Sequence, residues 1–107
     1  MSDWRLLHVE GLGPVSRQVA LFQIGPPLAH LPFASFKVKV VERSNGSFLG
    51  VPNVAVRRPD GSPDWMSGLG ISVEEALEDA LQWFKRSVVE SNSTVEGDFV
   101  WAANEDF

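Results

Sequence analysis

Between Phe36 and Glu42 apolar and polar residues alternate, with Phe36, Val38 and Val40 on one side and Lys37 and Lys39 on the other. A period of two marks a strand with one buried face, so a half-buried strand is predicted over residues 36 to 42. Ser44-Asn45-Gly46-Ser47 follows, and Asn-Gly takes the positive φ angles of a tight hairpin turn at little steric cost. A second strand is therefore expected to start near Phe48. Gly50 and Pro52 interrupt it, which places its better-formed part at Asn53 to Arg58, with a bulge or an edge position. Pro59-Asp60-Gly61-Ser62-Pro63 is dense in turn formers. Asp64 to Gly70, carrying Trp65, is then expected to return as a third short strand. Residues 36 to 70 thus read as a three-stranded antiparallel meander.

The period changes after Ile71. Val73, Ala76, Leu77, Ala80, Leu81, Phe84 and Val88 recur at helical spacing, while Glu74, Glu78, Gln82 and Lys85 lie outside that stripe. Ser72-Val73-Glu74-Glu75 is a capping box: the Ser72 hydroxyl accepts from the Glu75 amide and the Glu75 carboxylate reaches back. A helix from Ser72 to about Glu90 is predicted, ended by Ser91-Asn92-Ser93, with its apolar stripe covering the sheet. Glu74, Glu75, Glu78 and Asp79 crowd its first half and Lys85 and Arg86 its far end, which complements the helix dipole.

The two ends of the chain leave alternatives. Leu6 to Val9 and Val15 to Ile24 make a hairpin across Gly11-Leu12-Gly13-Pro14, the preferred reading, or Pro14 opens a short helix. Gly25-Pro26-Pro27 and Pro32 form an irregular connection up to residue 35. The tail from Glu96 to Phe107 mixes Phe99, Trp101 and Phe107 with Glu96, Asp98, Glu105 and Asp106, and is either docked or a binding segment. No internal repeat or low-complexity run is present. A chain of 107 residues buries enough surface for one core and too little for two, so residues 1–107 are expected to form a single α+β domain: an antiparallel sheet of three or more strands packed on one long helix.

Composition narrows the chemistry. No stretch approaches the roughly 20 apolar residues of a membrane span, and Asp3, Arg5, His8, Glu10 and Arg17 break up the region where a secretory signal would lie. A cytoplasmic location is the expectation. Absence of cysteine excludes a disulfide framework, a thiolate nucleophile and the usual structural zinc ligands. Fourteen acidic residues against nine basic ones give a net charge of -5, which repels phosphate backbones and favours basic partners.

His8 and His30 lack the spacing of a metal site, and Ser16, Ser35 and Ser72 lack the Gly-x-Ser-x-Gly surround of a hydrolase nucleophile. Glu74, Glu75, Glu78 and Asp79 could pair carboxylates on one helical face for acid/base work or a hard metal ion, but a solvated acidic face accounts for them. Gly11-Leu12-Gly13-Pro14 has the form of a helix-hairpin-helix turn, yet only ten residues precede it. No catalytic, cofactor-binding or metal-binding residue is therefore assigned. Four tryptophans, Trp4, Trp65, Trp83 and Trp101, are many for this length, and aromatic residues anchor protein interfaces. Trp83, Phe99, Trp101 and Phe107, with Glu74 and Glu78, are the candidate protein contacts.

Gly68-Leu69-Gly70-Ile71-Ser72, followed by Ala76 and Ala80, resembles the junction of last strand and last helix in double-stranded RNA-binding domains. The likeness extends to topology over residues 36 to 86 and implies an RNA-binding fold. That family places phosphate-gripping lysines just after the serine, where this chain has Val73, Glu74 and Glu75. RNA binding would then need Lys37, Lys39, Arg43, Arg57 and Arg58 to form a basic face. Gly70-Ile71-Ser72-Val73-Glu74-Glu75-Ala76, with Ala80 beyond, is similar to the helix start of HicB-like antitoxins. This second resemblance implies a meander and helix that neutralise a small RNA-cleaving toxin, hence protein binding. The leading expectation is a small acidic non-catalytic protein-binding module of the antitoxin or immunity type. Its partner would be a protein with a basic surface or a second copy of the chain, with nucleic acid as the alternative.

Overall fold

A computed structural model describes residues 3–25, 31–92, 95–103 and 107. They form β1 (Ser16–Ile24), β2 (Phe36–Arg43), β3 (Phe48–Pro52), β4 (Val54–Arg57), β5 (Pro63–Asp64), β6 (Gly68–Gly70), the helix α1 (Val73–Ser91) and β7 (Phe99–Trp101), with 3-10 turns at Trp4–Leu6 and Glu96–Asp98. Two antiparallel sheets, ordered β1-β2-β3-β6 and β5-β4-β7, pack against the one helix. The fold is α+β, as the sequence pattern predicts.

The layering follows from β2. Phe36, Val38 and Val40 are buried beneath the helix, and the alternation runs one step further to bury Glu42 as well. The β2–β3 turn falls where Asn45-Gly46 predicts it, but only Gly46 takes a positive φ, of 88°. Asn45 contributes through its side chain, whose oxygen accepts from the Ser47 amide at 2.9 Å. Arg58 to Ser62 repeats this turn: Gly61 has φ 88° and Asp60 accepts from the Ser62 amide at 2.9 Å.

The predicted second strand is two strands. Phe48–Pro52 pairs with β2, whereas Val54–Arg57 leaves for the other sheet. Asn53 is the pivot: its amide donates to the Lys37 carbonyl at 2.8 Å, its carbonyl accepts from the Ala102 amide at 2.8 Å, and its side-chain oxygen accepts from the Lys37 amide at 2.9 Å. The predicted third strand divides in the same way, β5 joining β4 and β6 joining β3, with Trp65 exposed between them.

Helix α1 begins as the capping box predicts, the Ser72 hydroxyl accepting from the Glu75 amide at 3.1 Å. The Glu75 carboxylate reaches one residue further back, to the Ile71 amide at 3.1 Å. At the other end Asn92 caps the helix in the left-handed region, φ 54°; Ser93 lies outside the described residues. Ala76, Ala80, Phe84 and Val88 are the buried stripe, and Phe84 and Val88 meet Phe36, Val38, Val54, Val56 and Phe99 in the core that joins the two sheets.

The expected N-terminal hairpin is corrected. Residues 16–24 are a strand, but they pair with β2, from Ser16 opposite Arg43 to Ile24 opposite Phe36, while Leu7 to Val9 stays irregular and Pro14 opens no helix. Pairing with β2 sets Ala20, Phe22 and Ile24 beside Val40, Val38 and Phe36 on the inner face, a gain in apolar burial. The segment 26–30, with His30, lies outside the described residues. The tail docks, Phe99–Trp101 pairing with β4, although Glu105 and Asp106 also lie outside them. Among the described residues no helix is long and apolar enough to cross a membrane.

Candidate functional site

β6 is an edge strand tied to the first half of α1 by carboxylates. The Leu69 amide donates to Asp79 Oδ2 at 2.9 Å, and Glu75 holds the Ile71 amide. Gly68 and Gly70 turn towards the helix, so alternation turns the intervening Leu69 outward. Leu69 is 55% exposed and Ile71 83% exposed. Leu69, Glu75, Glu78, Asp79 and Gln82 line a shallow groove of about 240 Å³, and Glu74 lies exposed one turn back on α1. The result is an exposed apolar pair next to the carboxylates of Glu75, Glu78 and Asp79, with Glu74 further along the exposed helix surface. Glu74 and Glu78 were expected at a contact surface; Leu69 and Ile71 were not, although their place between residues that face the helix was the available signal.

The aromatic candidates do not gather into one patch. Phe99 is corrected from contact residue to core: β7 pairs it with Val56 and it is buried, edge-on to Phe33 at 5.1 Å. Trp101, on the same short strand, is 40% exposed and stacks edge-on against Phe33 at 5.0 Å. Trp83 is 37% exposed on α1, with the Arg86 guanidinium 4.7 Å from its ring. Phe107 sits against Lys39 Nζ at 4.4 Å, on the sheet face opposite the helix.

The basic candidates divide into two groups. Lys37, Lys39 and Arg43 share the outer face of β2 by alternation. Arg57 ends β4 and Arg58 follows it, so both belong to the other sheet. Arg57 donates to the carbonyls of Gly97 at 3.0 Å and Gly61 at 2.8 Å, and Arg58 pairs with Asp64 at 2.9 Å. These two arginines border an open groove of about 680 Å³ together with Asp64, Glu90 and Asp98, so its charge is mixed.

One cluster was not anticipated. Glu42, only 4% exposed, accepts from Arg17 Nη2 at 2.9 Å and Nε at 3.2 Å on Oε1. Its Oε2 accepts from Arg5 Nε at 3.1 Å and from Arg5 Nη2. Both guanidiniums lie over the Trp4 ring, at 5.7 Å for Arg5 and 5.4 Å for Arg17. These hydrogen bonds, from Arg17 first and Arg5 second, hold the Glu42 carboxyl below its ordinary range. Four donors saturate the carboxylate, so the cluster ties the N-terminal turn to β1 and β2. The extension of the β2 alternation to position 42 was the readable signal. His8 is exposed, and among the described residues no three His, Cys, Asp or Glu side chains are grouped to hold a metal ion.

Comparison of the chain with known protein families, with curated proteins and with solved structures finds no match. What the geometry defines is an α+β domain with an acid-rimmed apolar patch on one sheet edge.

Proposed function

We propose that this chain is a small, acidic, non-catalytic protein-binding domain of the antitoxin or immunity type, and that it takes a basic protein surface. The observation that carries the reading is the exposure of Leu69 and Ile71 beside Glu74, Glu75, Glu78 and Asp79. Exposed apolar side chains ringed by charge suit an interface with a dry centre and a polar rim. Carboxylates at that rim attract basic partners and discourage acidic ones. The Gly70 to Ala76 likeness to HicB-like antitoxins supports the same direction.

Affinity capture from the native cell, with mass spectrometry of what stays bound, tests it. A stoichiometric basic protein retained by the native sequence and lost with L69D/I71D supports the proposal. Absence of any stoichiometric protein sinks it. An RNA-associated role is the second reading, favoured by Lys37, Lys39 and Arg43 sharing one sheet face. A low-salt mobility shift with duplex RNA decides it: no binding at micromolar protein removes this reading.

A further inference from the structure

Among the described residues, three of the four sheet edges are short or closed. β5 has two residues and β7 three, and at β6 the Asp79 carboxylate occupies the Leu69 amide. β1 differs: it is nine residues long and outermost, with no strand on its far side among the described residues. A free edge offers backbone N–H and C=O groups to another strand, and proteins blunt such edges with lysine, proline, unpaired charge or short length. β1 contains no lysine, proline or acid, and its one charge, Arg17, is neutralised by Glu42. A bulge between Gln18 and Ala20 interrupts its first half, and Ala20 to Ile24 remains regular. The inner face there also lacks a full cover. α1 lies mainly over β6 and β3, which leaves Ala20, Phe22 and Ile24 half-buried.

A second copy of the chain is an occupant that the charge pattern admits, with Arg17 paired to Glu42 and Lys37 and Lys39 one strand back. The chain carries a net charge of -5, yet no Asp or Glu occurs from Gly11 to Val41. Two copies repel over most of their surfaces, and along β1 they meet without opposing carboxylates. We propose that β1 of one copy pairs antiparallel with β1 of a second copy about a two-fold axis at Phe22, joining two four-stranded sheets into one of eight strands. In this register Ala20 faces Ile24, Leu21 faces Gln23, and Phe22 faces its own counterpart, so the apolar inner row continues across the axis.

Strand pairing alone covers less than the roughly 800 Å² per partner of a stable interface. The segment leading into β1 supplies the remainder, with Leu6 83% exposed and Leu7, Val9 and Leu12 exposed beside it. Antiparallel pairing sets this loop, held at Arg5 by Glu42, beside the C-terminal end of the other copy's β1. The interface lies at the opposite sheet edge from Leu69, so pairing leaves the acid-rimmed patch free.

Sedimentation equilibrium on the full chain tests the proposal. The native protein is expected to be a dimer at tens of micromolar. L21E/Q23E sets glutamate opposite glutamate twice across the axis, while within one chain it faces Lys39 and Lys37, so the fold is kept. Its dimer dissociation constant is expected to rise on the order of 10- to 100-fold. L21E/Q23K/K37E opposes unlike charges in the same register, keeps unlike charges opposite positions 21 and 23 within each chain, and restores the dimer. A native protein that stays monomeric at these concentrations, or a dimer indifferent to L21E/Q23E, overturns the proposal.

Discussion

Gly68 of β6 lies against Ala80 of α1, so close that a Cβ on Gly68 would come within 2.1 Å of the Ala80 amide nitrogen. Its cross-strand partner Gly50 meets Ala76 in the same way, 2.5 Å from the Ala76 carbonyl oxygen. The helix therefore rests backbone on backbone at this edge, with glycine and alanine as the only residues small enough. The Gly-x-Gly-x-Ser pattern is thus explained by packing, without any RNA-binding requirement.

Gly68→Ala is expected to cost about 3 kcal/mol, the upper end of overpacking penalties, because the obstructing atoms are backbone and cannot rotate aside. Gly97→Ala, where a Cβ meets nothing within 4 Å, should stay within about 0.5 kcal/mol of the native sequence. Urea unfolding of the two variants checks the contrast. Equal midpoints would mean that helix and strand are not in this contact.

The Glu42 cluster sets an acid limb. Because Arg17 and Arg5 lower the folded-state pKa of Glu42 below its unfolded value, its stabilisation is complete above the ordinary carboxylate range and is lost as pH falls through the lowered value. Glu42→Gln should be less stable near neutrality and should flatten the decline of the thermal midpoint between about pH 5 and pH 2. Asp60, lowered by the Ser62 hydroxyl and amide, contributes with the same sign. D60N/E42Q should therefore be flatter than Glu42→Gln alone. A full acid limb in the double variant would place the pH dependence elsewhere.

Ser72→Ala removes the acceptor that the Glu75 amide uses at the first turn of α1. A cost of about 1 kcal/mol is expected. Ser72→Asp should retain most of it, since a carboxylate serves both as cap and as a charge at the positive end of the helix. Hydrogen exchange at the Glu75 amide reports the difference directly, rising in the alanine variant and not in the aspartate one.

Local signals were legible and partner choice was not. The alternation from Phe36 to Val40, the Asn45-Gly46 turn and the Ser72 cap each act within a few residues, and each appears where its pattern predicts. Strand pairing depends on which faces can be buried together, which is why residues 16–24 chose β2 over Leu6 to Val9. The same limit hid the candidate site. Leu69 and Ile71 sit in a readable motif, but their exposure follows from how closely Gly68 approaches Ala80. The Glu42 cluster needs Arg5, Arg17 and Glu42, separated by up to 37 positions, to meet through that same pairing.

Asn53 connects the two sheets, and its side chain is the separable part of the connection. Its backbone joins Lys37 and Ala102, while its side-chain oxygen alone accepts from the Lys37 amide. Asn53→Ala leaves the backbone bonds possible and should cost about 1 kcal/mol, the net worth of one hydrogen bond. The loss should be local. Exchange of the Lys37 amide is expected to quicken by about fivefold, whereas the β2 amides in the core, such as that of Val40, should change only as far as global stability falls. Equal acceleration along all of β2 would show that the Asn53 side chain supports the whole sheet. An unchanged Lys37 amide would show that the side-chain bond carries no stability and that the backbone pivot suffices.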